Sequence, residues 1–397
     1  MNRGKYVFAQ ISSFLPRRIF DGIVGRYKGD YHIRHFTCWN QLMCMMYGQL
    51  SNRESLRDLV LTVNAHSQKA YHLGFGKSVS KTNLARANEN RDWRIYQEFA
   101  YHLVAEARKI CMANDTTQFS FSNSVYAFDS TTIDLCLAVF WWATFRRAKA
   151  AIKIHTQYDV RTSIPVFIHI TAGSVHDTHA MDELSYEPGS FYIFDRGYID
   201  FERLFVIHES KSYFVIRAKN NLQFKRQYSA TVDKSTGVQC DQTGELKGFY
   251  SFKQYPEKIR RIKFYDAEQN RTFIFLTNNL NLNPEEIADL YKHRWKIELF
   301  FKWIKQHLKI KSFWGTTKNA VKTQVHIAVI TYTLVAIIKQ QLKTEYSTYE
   351  VLQILGSSLL DKTPVNQLLQ KQNDQDVKEL LYNQLYWSQL EPTSRKY

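Results

Sequence analysis

A phenol, a guanidinium, a carboxylate and an ammonium recur along one stretch, YKHRWKIELFFKWIK, as Tyr291, Arg294, Glu298 and Lys305. At ~100° per residue these four fall within an arc of roughly 60° on a helix. Leu290, Ile297, Phe301, Ile304 and Leu308 form an adjoining apolar stripe, so the polar line runs along the edge of a buried face. A carboxylate in such company can hold a hard cation, while the cations and the phenol can meet phosphate oxygens. The same spacing also suits a surface helix with i,i+4 charge pairs, and Arg294 with Glu298 is such a pair. Phosphoryl transfer would require further carboxylates beside Glu298.

The elements that must position these groups are legible in outline. The helical pattern begins near Pro284 and runs to about Lys309. Upstream, SVYAFDSTTIDL reads as a strand with Asp129 at its end, since Val125, Tyr126 and Phe128 are strand formers. AIKIHTQYDV and IPVFIHITAG read as two antiparallel strands joined by a turn at Arg161 to Ser163. GSFYIFDRGYID gives an almost wholly apolar, central strand that ends at Asp195. HDTHAMDELSY is a short helix, and a helix over Phe201 to Glu209 leads to a strand at SYFVIRAK. Asp134, Asp159 and Asp177 also lie near strand ends or turns, and Asp177 suits the cap of the helix after it. His176, Asp177 and His179 lack the spacing of a zinc motif.

Tyr, two residues, Arg, three residues, Glu, six residues, Lys resembles the signature of one branch of the insertion-sequence-4 family of bacterial transposases. FDSTT and DRGY precede it in the matching order, and the resemblance covers most of the chain. It implies an α/β, ribonuclease-H-like core in which the first strand lies beside the fourth. It also implies a DDE site in which Asp129, Asp195 and Glu298 are catalytic and hold two Mg²⁺ ions, with Mn²⁺ able to substitute. Tyr291, Arg294 and Lys305 would contact DNA. The implied partners are double-stranded DNA, both terminal inverted repeats and target, and a second copy on the paired ends, with no membrane. The implied location is the bacterial cytoplasm, with the nucleoid. One departure is that relatives forming DNA hairpins stack a flipped base on a tryptophan near a β-rich insertion, whereas no Trp lies between Asn220 and Leu280 here. Trp295, next to Arg294, reads as a packing or helix-adjacent contact.

The rest of the chain fits around that core. Residues 1–120 read as a helical N-terminal DNA-binding domain, 121–343 as the catalytic domain and 344–397 as a helical C-terminal region. The boundary is the polar stretch Asn114 to Ser124. Ser51 with Glu54 has the form of a capping box, and Ser80 could cap a basic helix carrying Arg86, Arg91 and Arg94. Helix, glycine turn, then basic helix is compatible with DNA reading, which points to Arg86 and Arg91. Residues 220–280 alternate in the strand manner and read as a β-rich insertion. Lys225, Arg226, Lys258, Arg260, Arg261 and Lys263 make it basic, a mixture that suits nucleic acid. Val325 to Ile338 is too short to span a bilayer and reads as a buried helix. Ser347 with Glu350, and Thr363 with Pro364, mark later helix starts, and Val377, Leu380, Leu381 and Leu385 give a last amphipathic face.

The formal net charge of +16 points to a polyanionic partner. Five scattered cysteines without a CxxC pair support neither a disulfide framework nor a zinc ribbon. Two other readings stand beside the transposase: a ribonuclease-H-like nuclease without strand transfer, and a DNA-binding regulator with an inactive core.

Overall fold

The computed structural model describes residues 4–76, 79–114, 123–146 and 149–371. Residues 115–122 of the expected boundary, and the stretch from Val377 to Leu385, lie outside them. The N-terminal helices are α1 (Val7–Ser12), α2 (Arg17–Arg26), α3 (Cys38–Leu50), α4 (Leu56–Ala65), α5 (Ser67–Ala70), α6 (Lys81–Asn90) and α7 (Arg94–Ala113). Then come β1 (Val125–Leu135), β2 (Thr144–Arg146), β3 (Lys149–Asp159), β4 (Ile164–Ala172), β5 (Phe191–Phe194), α8 (Phe201–Glu209), β6 (Tyr213–Arg217), β7 (Phe224–Ala230) and β8 (Val238–Leu246). After α9 (Phe249–Gln254), β9 (Ile259–Asp266) and β10 (Arg271–Thr277), the chain continues through α10 (Pro284–Lys292), α11 (Trp295–His307), α12 (Lys318–Gln341), α13 (Thr348–Ser357) and α14 (Val365–Leu368).

The strands form one mixed sheet, ordered β2-β3-β1-β5-β6-β10-β9-β8-β7, with β4 also on β3. β1, β3 and β4 are antiparallel neighbours, whereas β1–β5 and β5–β6 are parallel. Parallel strands need covered faces, and β5 accordingly is buried throughout. With helices before, on and after it, this sheet has the ribonuclease-H-like arrangement expected. Strands β7 to β10 continue the same sheet, because β10 pairs with β6.

α12 is the helix around which the two halves meet. It packs on α7, α3, α6 and α13. By length and composition it could cross a membrane, but 94% of its most apolar window is buried inside the protein, so it is a core helix. The first described helix is also tied to the segment after α13: Val7 and Phe8 donate backbone N–H groups to Asp361 and Leu359 at 2.8 and 3.0 Å. The Gln10 amide donates to Thr363 O at 2.9 Å and accepts from Val365 N at 3.0 Å.

Several local expectations change. Ser51 closes α3, its hydroxyl on Tyr47 O at 2.6 Å, so α4 is capped instead by Ser55, which accepts from Asp58 N. Ser80 does cap α6, but Arg91 turns extended (ψ 137) and splits the expected long helix into α6 and α7. Ser347 and Glu350 form the expected capping box. Pro364 sits at the cap of α14, not inside its first turn. The segment after Asp177 is a 3₁₀ helix, Asp177–Glu183.

Candidate active site

Asp129 lies mid-strand rather than at a strand end. On one side β1 runs on against β3 as far as Leu135. On the other side its parallel ladder with β5 stops at Phe128 opposite Phe194. One step beyond that last pair, Asp129 and Asp195 stand next to each other where β5 gives way to a 3₁₀ turn, Arg196–Tyr198. Side chains alternate along strands, so the two aspartates share a face. Tyr198 fixes the turn, its ring edge-on to Phe128 at 5.4 Å.

Glu298 comes from the helical arm across that face. The expected continuous helix is two, α10 and α11, joined at His293 and Arg294. There Arg294 N bonds Tyr291 O at 3.0 Å and Ile297 N bonds Arg294 O at 3.2 Å. These i to i−3 bonds tighten the turn to a 3₁₀ pitch, rotating α11 by roughly 20° per tightened residue relative to a straight helix. The apolar stripe Leu290, Ile297, Phe301, Ile304 and Leu308 is buried as expected. Two lysines bracket Glu298 and tie α11 to the sheet: Lys296 Nζ to Val160 O, and Lys305 Nζ to Thr132 O, both at 3.1 Å.

Arg294 bridges the site, with Nη2 at 2.5 Å from Glu298 Oε1 and Nη1 at 3.4 Å from Asp129 Oδ2. Its buried Nε has no acceptor among the described residues. The Tyr291 hydroxyl is 3.5 Å from Asp195 Oδ1, and burial first of all pushes that phenol up to about 12, so it stays a donor. Burial pushes the Asp129 carboxyl up to about 6; the Ser130 N–H and Arg294 pull it back, while Asp195 and Glu298 push it further. Three carboxyl groups thus share one electrostatic neighbourhood. Among the described residues, no group of three or more His, Cys, Asp or Glu side chains stands close enough to hold a metal ion. The donor chemistry fits a hard divalent cation, oxygen ligands only, and the Arg294 guanidinium pairs with two of the three carboxylates.

The remaining expected residues fall in several places. Asp177 does not cap its helix; His176 does, accepting from Thr178 N. Asp177 Oδ1 instead accepts from Ser130 Oγ at 2.8 Å and faces Lys153 Nζ at 3.2 Å, directly behind Asp129. Arg86 is exposed on α6, but Arg91 is buried, donating to Phe36 O and to Gln41 Oε1. Arg260 is buried in a paired contact with Asp241 at 2.7 and 2.8 Å, and so is not presented to nucleic acid. Trp295 is exposed, not packed. It lines a cavity of about 220 Å³ with Asp195, Arg217, Arg271 and Phe273, a feature that sequence reasoning missed. No sequence pattern marks it, because Arg217 and Arg271, which both lie over the Phe273 ring at 5.3 and 5.4 Å, come from β6 and β10, far apart in the chain.

A family model described as a transposase DDE domain matches residues 120–334, and one described as a domain of unknown function (DUF4372) matches residues 3–76. A protein of Sinorhizobium fredii named as a transposase, y4zB, is 38% identical over 53% of this chain and 59% of its own length. One of Geobacillus stearothermophilus, named for insertion sequence element IS5377, is 32% identical over 59% of this chain and 62% of its own. One of Synechocystis, named for insertion sequence element IS4SA, is 24% identical over 66% of this chain and 73% of its own. The chain thus spans about six-tenths of the length of the first two.

Proposed function

This chain belongs to the family of bacterial DDE transposases, and on that premise we propose that it cuts DNA at the ends of its own mobile element and joins the 3′ ends to target DNA. In this reading it is a member of the insertion-sequence-4 branch, and Asp129, Asp195 and Glu298 are its catalytic carboxylates. The observation that carries the reading is the β1–β5 register, Phe128 opposite Phe194, which leaves Asp129 and Asp195 adjacent under the arm that bears Glu298. Arg294 reaching both Asp129 and Glu298 supports it independently.

When bound to these three carboxylates, two Mg²⁺ ions, or Mn²⁺ in their place, would activate the attacking oxygen and stabilise the leaving one. The chain's own groups do the rest. Arg294 holds Asp129 and Glu298 towards each other. The Tyr291 hydroxyl orients Asp195. Lys305, half-exposed on the same helix, adds positive charge along the path of a DNA backbone. Residues 1–120, with Arg86 outward, are the proposed end-binding module, 121–343 the catalytic domain with its 220–280 insertion, and 344–397 a helical tail. Two copies on paired ends would give the joining reaction its symmetry.

The test is a Mg²⁺-dependent nicking and joining assay on duplexes carrying the element's ends, with a supercoiled target. Asp129→Asn, Asp195→Asn and Glu298→Gln should each lose nicking by orders of magnitude while binding and folding persist. Full activity in Glu298→Gln would refute the assignment. Nicking without joining would leave the nuclease reading in its place.

A further inference from the structure

Between α2 and α3 the chain makes an exposed arm, Tyr31 to His35, outside any helix or strand. It is anchored at both ends. At its start, Gly29 passes so close to the core that an added Cβ would meet Ile95 Cδ1 at 2.6 Å and Cys38 Sγ at 2.8 Å. Asp30 Oδ1 accepts from Cys38 N at 2.7 Å. At its far end Phe36 is buried, and Arg91 donates to its carbonyl while also bonding Gln41 Oε1 at 2.9 Å. His32 holds a left-handed φ of 58, a conformation that costs a non-glycine residue and persists only where the surroundings enforce it.

Across a groove of about 450 Å³ the arm faces α6. His32, Arg34 and His35 line one wall; Asn83, Arg86 and Asn90 line the other, and among the described residues no carboxylate lines it. Asn83, Arg86 and Asn90 recur at i, i+3 and i+7, so they share the outer face of α6, opposite buried Leu84 and Asn88. Amide side chains suit adenine edges and guanidinium suits guanine edges, whereas a cationic arm suits phosphate whatever the sequence.

We infer that the arm and the outer face of α6 form one composite reading surface for duplex DNA, with Asn83, Arg86 and Asn90 at base edges and His32, Arg34 and His35 on the backbone. The inference rests on the reading of this chain as a DNA-acting protein and adds the part of it that selects sequence. Arg91, facing inward, sets the spacing between the two walls.

The test uses the full chain and a library of short duplexes with a randomised core, sequenced after selection by binding, together with one fixed duplex titrated against salt. Wild type should enrich a motif. Asn83→Ala combined with Arg86→Ala should lose preference by about tenfold or more at some motif positions. Replacing His32, Arg34 and His35 by Ala should weaken every duplex alike and flatten the log–log salt slope by about one unit for the lost arginine. Thermal melting should not move in either variant, because these side chains are exposed. Wild-type selection with unchanged motif and salt slope in both variants would overturn the inference and leave the catalytic reading intact. A wild-type chain that binds no duplex would overturn both.

Discussion

Lys153 is the cation that balances Asp177, although His155 Nδ1 also lies 3.8 Å from the same oxygen. Burial holds His155 down at about 4, so at neutral pH it is uncharged and the ion pair belongs to Lys153. Asp129 and Ser130 are successive on β1 and point to opposite faces. The Asp177–Ser130–Lys153 contacts therefore press on the back of the strand whose front carries Asp129, and the Ser130 N–H itself donates to Asp129 Oδ1 at 2.8 Å. Asp177→Ala would leave the Ser130 hydroxyl without its acceptor and the mostly buried Lys153 ammonium without its counter-charge, though still donating to Val175 O at 2.8 Å, a loss of about 1–3 kcal/mol. We expect slower nicking with end binding retained, read by comparing turnover and affinity in one preparation, and partial recovery with Asp177→Glu. Unaltered turnover would make these contacts structural only. Asp129, Asp195 and Glu298, the proposed catalytic carboxylates, were visible in the sequence because short motifs carry them. The role of Asp177 was not, because a cap and a cross-strand contact look alike until the strands are paired.

At the scale of elements, the breaks carry as much information as the helices. Arg91 reads in sequence as one more cation on a long basic helix, yet its extended backbone ends α6 and its guanidinium lies inside. Periodicity alone could not show this, because arginine is tolerated on either face until a buried carbonyl, here that of Phe36, claims it. The α10–α11 joint was equally hidden: the signature residues span it with no glycine or proline to mark it. Arg91→Ala should cost about 1.5–3 kcal/mol, the range for hydrogen bonds to a charged group. Arg86→Ala, exposed on the same helix, should leave stability nearly unmoved. Denaturant melts of the two variants decide the matter: equal stability would mean that Arg91 does not clamp the arm.

Across the whole molecule, the N-terminal helices are completed by a segment from the other end of the chain. α7 packs chiefly on α12, which also covers α3 and α6, although Phe99 packs on Phe20 within the N-terminal helices themselves. Each large side chain left bare loses about 1.5–3 kcal/mol. A fragment of residues 1–120 should therefore be poorly folded, whereas residues 1–371 should melt cooperatively, a contrast that circular dichroism would read directly. A cooperative melt of the short fragment would count against this. The expectation of an N-terminal module at residues 1–120 came from helical patterning and the polar stretch that follows it, signals that do not report which distant helix packs on it. The same arrangement sets a schedule for synthesis. The first helices leave the ribosome well before α12 does, with roughly 200 residues between, or about 10–40 s at ~5–20 residues per second. Until then the proposed reading surface lacks its support, and the Gln10 contacts with Thr363 and Val365 must wait longer still. A nascent chain should thus grip DNA only once its translation is nearly complete.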